Sequence, residues 1–219
     1  MTANIKRKSF DDWTTQEVRL AFHLKETDSS ELLTEWLSVV HPLDDYQKIF
    51  LQEKRELLKR FYRSWNEDEL KFQFIAHIVE MARLRGDNFG TFSQRKLSAT
   101  INDITLYGRP EVMIATGQED PLKPYFFIHE YKPSKRADEP LGQVLSAMVA
   151  AQYLNEDNRP LLGCFVLGSI WQFVVLENKT YTLSDNYDAT QFDELSAIYS
   201  ALCQAKVYIQ EQAGELMID

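Results

Sequence analysis

The segment PYFFIHEYKPS, residues 124–134, runs an apolar, strand-like stretch straight into Glu130, Tyr131 and Lys132. A carboxylate and an amine carried together out of a core make either a surface ion pair at a strand end or part of a metal-dependent active site. Glu-x-Lys by itself is a weak signal, because it occurs three times: Glu69-Leu70-Lys71, Glu130-Tyr131-Lys132 and Glu177-Asn178-Lys179. Context separates the three. On a helix, residues two apart point in different directions, so Glu69 and Lys71 do not converge. Asn178-Lys179 reads as a hairpin turn. Only Glu130 and Lys132 lie on one extended segment, where residues i and i+2 share a face.

The preceding segment, YGRPEVMIATG, supplies a second acid, Glu111, at the start of a short strand. Folding the two strands as an antiparallel hairpin about Asp120-Pro121 places Glu111 opposite Glu130. Opposed side chains in such a ladder are roughly 5 Å apart at Cβ. Two like charges that close repel by roughly 4 kcal/mol at an effective dielectric of 20. A divalent cation would neutralise the pair, with Lys132 beside it. The alignment requires a symmetrical turn.

The elements that must position these groups follow from periodicity. DDWTTQEVRLAFHL starts with cap-type residues and carries an apolar stripe of Trp13, Val18, Ala21 and Phe22. DSSELLTEWLSVV repeats the pattern, and His41-Pro42 ends it. A third helix is expected from about Asp44 to Trp65, and a fourth, capped by Asn66, ends at Gly86-Asp87-Asn88. After residue 90 the period becomes strand-like, in KLSATINDITLYG, EVMIA and PYFFIHEYK. PLGQVLSAMVAAQYLN is a helix with small residues suited to close packing on a sheet. LLGCFVLG, WQFVVLE and TYTLS are strands, and a helix runs from about Ala189 to Gln212. This order predicts an N-terminal helical accessory unit over residues 1–65 and an α/β core over 66–219.

Composition limits the function classes. A 44% hydrophobic and 12% aromatic chain supports a real core rather than disorder. No apolar run approaches the ~20 residues that span a bilayer, so no membrane partner is expected. The basic N-terminus runs into Asp11, Asp12 and Trp13 rather than an apolar stretch, unlike a secretory signal. Cys164 and Cys203 are the only cysteines, which fits a reducing cytoplasm. A net charge of −9 is unusual for a nucleic-acid binder, whose affinity comes largely from phosphate contacts. Local basic clusters exist nonetheless: Lys54, Arg55, Lys59, Arg60 and Arg63; Arg83, Arg85, Arg95 and Lys96; Lys132, Lys135 and Arg136. His23, His41, His77 and His129 have no metal-ligand spacing, and His129 alternates to the face away from Glu130. Trp171 and Phe173 read as core.

The order proline-acid, strand, turn, strand, Glu-x-Lys resembles the PD-(D/E)XK nuclease superfamily, and the segment from about Asn66 to Glu177 can be laid over its core. The resemblance implies a restriction-endonuclease-like fold: a helix, a three-stranded antiparallel meander, a second helix and further strands. It implies Glu111 and Glu130 as Mg²⁺ ligands, joined by the Tyr131 carbonyl, with Mn²⁺ able to substitute. Lys132 would orient or activate the attacking water. Glu67 in the first core helix, with Glu69 as the alternative, would assist, and Gln143 would touch the nucleic-acid backbone. The sequence departs from the pattern at Glu111, where aspartate is usual, and at Ala147, where an aromatic residue often follows the glutamine. The expected activity is Mg²⁺-dependent phosphodiester hydrolysis, with DNA the favoured substrate. The N-terminal unit would serve substrate choice or homodimer formation. The alternatives are a nuclease-fold scaffold that has lost the reaction, and a protein-interaction module working through residues 1–65.

Overall fold

Helix starts follow side-chain capping. Thr14, Ser30, Asp44 and Asn66 accept from main-chain N–H groups at the starts of α1 (Thr15–Phe22), α2 (Glu31–Ser38), α3 (Asp45–Phe61) and α4 (Glu67–Leu70). At three of them Glu17, Gln47 and Glu69 close a capping box. The chain continues from α4 through a π-helical segment, Lys71–Ile75, into α5 (Ala76–Ala82). The computed structural model describes residues 6–132 and 140–215. Lys135 and Arg136 lie outside the described residues.

Two sheets follow. The larger has the order β2-β10-β9-β8-β7-β6-β3, with β11 pairing on β9. Its strands are β2 (Lys25–Glu26), β3 (Phe89–Ser93), β6 (Val112–Thr116), β7 (Leu122–Lys132), β8 (Leu161–Leu167), β9 (Ile170–Glu177), β10 (Thr180–Leu183) and β11 (Tyr187–Asp188). β3, β6 and β7 run antiparallel to one another, whereas β7 and β8 are parallel. A parallel pair needs a crossover, and α6 (Pro140–Asn155) lies between these two strands in the chain. The smaller sheet is β1-β5-β4, made of β1 (Lys6–Ser9), β5 (Ile104–Gly108) and β4 (Leu97–Ile101). The protein is thus a mixed α/β structure.

The larger sheet separates two apolar clusters. One holds Leu33, Trp36, Leu51, Leu58, Phe127 and Trp171, with α7 (Phe192–Glu215) contributing Leu195 and Leu202. The other holds Phe10, Trp13, Val18, Leu106, Ile128 and Met148. Successive β7 residues point to opposite faces, so Phe127 and Tyr131 enter the first cluster and Ile128 the second.

The expectation of a purely helical unit over residues 1–65 is corrected. β1 pairs in parallel with β5, and β2 pairs in parallel with β10. Apolar side chains of this region are shared between both clusters, and Trp36 Nε1 donates to the Ala201 carbonyl at 2.7 Å. Lys-Arg-Lys-Ser has no alternation of its own, so its strand state comes from the free edge of β5. The outer strand of the meander is β3, which Gly86 and Gly90 disguise as a loop. KLSATINDITLYG instead forms the β4-β5 hairpin of the small sheet.

Helix α6 runs almost against the start of α1. A Cβ at Gly142 would lie 2.2 Å from the Trp13 carbonyl oxygen and 2.7 Å from main-chain atoms of Thr14 and Thr15. Backbone cannot yield as a side-chain tip can. Gly142→Ala is expected to destabilise the protein by about 1–3 kcal/mol, read as a lower urea midpoint with an unchanged m-value.

Candidate functional site

The hairpin β6-β7 brings the two acids together. Its register pairs Val112 with His129, Met113 with Ile128 and Ile114 with Phe127, and one further step sets Glu111 across from Glu130. The turn is not symmetrical, because the register shifts between Ile114 and Ala115 and again between Ala115 and Thr116. Those irregularities fall at the turn end and leave the opposite end in the expected pairing.

Glu130 has no accessible surface, and Glu111 is 7% exposed. Glu130 Oε2 accepts from Gln143 Nε2 at 2.9 Å, and Oε1 has no hydrogen-bond partner. Burial, and after it the neighbouring charge of Glu111, pushes the Glu130 carboxyl well above the usual carboxylate range. Glu111 Oε2 accepts from Lys71 Nζ at 2.8 Å, and Oε1 accepts from Gln94 Nε2. The Lys71 ammonium also lies 5.5 Å from the centroid of the Tyr131 ring.

Lys132, the last residue of β7, lies on the Glu130 side. Its Nζ is 3.5 Å from Glu67 Oε2 and 3.9 Å from Asp11 Oδ1. Burial raises the Glu67 carboxyl, the nearby Lys132 lowers it, and the charge of Glu111 raises it. Glu69 is not available in this way, because its carboxylate closes the Asn66 capping box. Glu67, Glu111, Lys132 and Gln143 line one cleft of about 650 Å³, together with Asp11, Gln94, Arg7, Lys96 and Arg109.

Glu67, Glu111, Lys132 and Gln143 thus line one cleft, while Glu130 lies buried behind Gln143 and Glu69 is turned to its own helix cap. Gln143 is buried with its amide nitrogen directed at Glu130, so the structure gives it an internal partner in addition to its place on the cleft wall. His129 points away into the first cluster, 5.3 Å from Trp171 and 5.6 Å from Tyr131 between ring centroids. Burial lowers its pKa to about 3 and keeps it neutral. Trp171 and Phe173 are fully buried. Sequence reasoning missed Lys71, Gln94 and Asp11. Lys71 had a signal, since it follows Glu67 by one helical turn and shares its face. Gln94 and Asp11 had none.

Among the described residues, no group of three or more His, Cys, Asp or Glu side chains is arranged to hold a metal ion. The Glu111–Glu130 pair, with its unpartnered Oε1, fits a hard divalent cation of the kind that takes one or two carboxylates. Water, main-chain or substrate oxygens would have to complete the coordination. No protein-family model and no curated protein matches the chain.

The raised Glu130 carboxyl makes a stability prediction for metal-free protein. A carboxyl whose folded pKa exceeds the unfolded value of 4.5 stabilises fully below that pH and loses this contribution as pH rises through the folded pKa. An amide at this position can accept from Gln143 and donate to Glu111. In EDTA, Glu130→Gln should therefore match wild type below pH 4.5 and melt progressively higher above it. Each kcal/mol recovered is worth about 2–4 °C in a domain of this size. Thermal melts across pH 4–8 measure the difference, and a constant offset would contradict the assignment.

Proposed function

We propose that the protein is a metal-dependent nuclease that hydrolyses phosphodiester bonds, with DNA as the leading substrate. The observation that carries this reading is the opposed pair Glu111–Glu130, with Lys132 and Glu67 in the same cleft. A restriction-endonuclease-like core is supported by the chain order of α4 and α5, then β3, β6 and β7, then α6, then the parallel strand β8. The intervening β4-β5 hairpin would be an insertion into that core.

A bound Mg²⁺ or Mn²⁺ would polarise the phosphate and lower the pKa of water. The residues of the chain divide the remaining work. Glu111 and Glu130 would hold the cation, and Gln143 fixes the Glu130 carboxylate through its Oε2. Lys132 places its ammonium where an attacking water would be oriented, and Glu67 restrains that ammonium from the helix side. Among the described residues no helix is long and apolar enough to cross a membrane, and both cysteines are free thiols. The free thiols fit a reducing, cytoplasmic setting.

One observation favours the rival reading of a catalytically inactive scaffold. Both Glu111 oxygens are already engaged, by Lys71 and Gln94. Cleavage of linear and circular DNA and of RNA in Mg²⁺ or Mn²⁺, alongside calorimetric metal titration, separates the two readings. Mn²⁺ should support activity at least as well as Mg²⁺, because it binds such oxygen sites more tightly. Lys132→Ala should abolish cleavage while sparing metal binding, and Glu130→Ala should remove both. Glu111→Asp should keep or raise activity. No cleavage and no metal heat would leave the scaffold.

A further inference from the structure

The small sheet forms one wall of the cleft, and its charge is unlike that of the whole chain. Its strands read Lys-Arg-Lys-Ser, Leu-Ser-Ala-Thr-Ile and Ile-Thr-Leu-Tyr-Gly, without a single carboxylate, in a protein of net charge −9. Leu97, Ala99 and Leu106 enter the second cluster. The alternate residues form the other face. There the register sets Tyr107 between Ser9 on β1 and Ser98 on β4, so its ring is flanked by two short hydroxyl side chains. The Arg7 guanidinium lies over that ring, 4.9 Å from its centroid. Lys96 and Arg109 are exposed at the ends of β4 and β5 and line the same cleft. Arg7 and Lys96 have no carboxylate partner among the described residues.

We infer that this face is a binding platform for a single strand of nucleic acid, an assignment that rests on the nuclease reading for what happens at the cleft floor. Tyr107 and Arg7 stack a base, while Lys96 and Arg109 hold backbone phosphates and lead the strand toward Lys132. An aromatic ring beside basic side chains suits an unpaired base, which presents a free π-face. A duplex stacks both faces of every base and leaves the ring nothing to hold. The depth of the site points the same way. Glu130 has no accessible surface and Glu111 very little, so a phosphate must descend into the cleft to approach them. The cleft, at about 650 Å³, has the size of a small-ligand pocket. A flexible strand can enter it, whereas a rigid duplex meets its rim.

Fluorescence anisotropy with the full chain in EDTA and low salt tests this, using labelled single-stranded DNA, single-stranded RNA and a blunt duplex. A single strand, of either sugar, should bind at least ten-fold more tightly than the duplex. Tyr107→Ala should weaken single-strand binding by about ten-fold, and Tyr107→Phe should not. Lys96 is exposed, so Lys96→Ala tests the platform without threatening the fold. It should flatten the slope of log K against log salt by about 0.7. Equal or tighter duplex binding, or wild-type behaviour of both Tyr107→Ala and Lys96→Ala, would overturn the single-strand platform alone. Failure of wild type to bind any oligonucleotide would overturn the platform, while the nuclease reading stands or falls by cleavage in Mg²⁺ or Mn²⁺. Single-strand binding without metal-dependent cleavage would uphold the platform and remove the nuclease.

Discussion

Glu130 is a carboxyl enclosed on every side, with one oxygen hydrogen-bonded and the other bare. A buried ion left in that condition is costly, so the group stays protonated or finds a counter-charge. β7 is paired on both edges, antiparallel to β6 and parallel to β8. Its other face is locked by Phe127 and Tyr131 in a separate core. α6 is pressed so close to α1 that only glycine fits at residue 142, and the next residue is the one that binds Glu130. The isolation of this carboxyl is thus imposed by packing on both sides of the sheet.

How much of this was legible beforehand depends on how locally each feature is determined. The pairing of Glu111 with Glu130 could be read because antiparallel partners advance in step, and the two register shifts happened to lie beyond Ile114. Helix starts could be read because a cap and its partner lie three residues apart. The strands of KLSATINDITLYG could be read, but not the small sheet they build, because β1 is a polar run whose extended state comes from an edge far along the chain. In the larger sheet, β3 was hidden by a glycine where a strand residue is expected. Missing β1 hid one wall of the cleft, and with it the placement of Arg7 beside Tyr107. Of the cations that line the cleft, Lys96 and Lys132 belong to basic clusters visible along the sequence, whereas Arg7 and Arg109 come from β1 and the end of β5.

Charge is therefore organised by depth. Glu67 and Glu111 line the cleft with Glu130 buried behind them, and the cations beside these acids, Lys71 and Lys132, are each set against a carboxylate. The wall bears Arg7 on β1, with Lys96 and Arg109 at the ends of β4 and β5, strands that lack acids. A polyanion approaching a chain of net charge −9 is repelled on average. The potential it meets at short range is that of the nearest wall, since salt screens charges beyond about 10 Å. Net charge consequently says little about whether this cleft can accept phosphates.

Lys71 decides how the floor behaves. At 2.8 Å from Glu111 it supplies the counter-charge that two opposed carboxylates require, and it comes from the same helical turn that presents Glu67 to Lys132. The longer side chain of glutamate explains how both contacts are made. An aspartate at residue 111 would sit about 1.5 Å further back, away from Lys71 and Gln94 and closer to its own strand. In this protein the first acid reaches outward to the helix, and the second stays buried with its bare oxygen. A cation joining the two would have to draw Glu111 back from Lys71. Lys71 stands at the first residue of the π-helical segment, a type of helix irregularity often found at functional sites. A metal bound here would compete with the Lys71 ammonium for one carboxylate, so the strength of that single ion pair would govern whether the site stays a closed salt bridge.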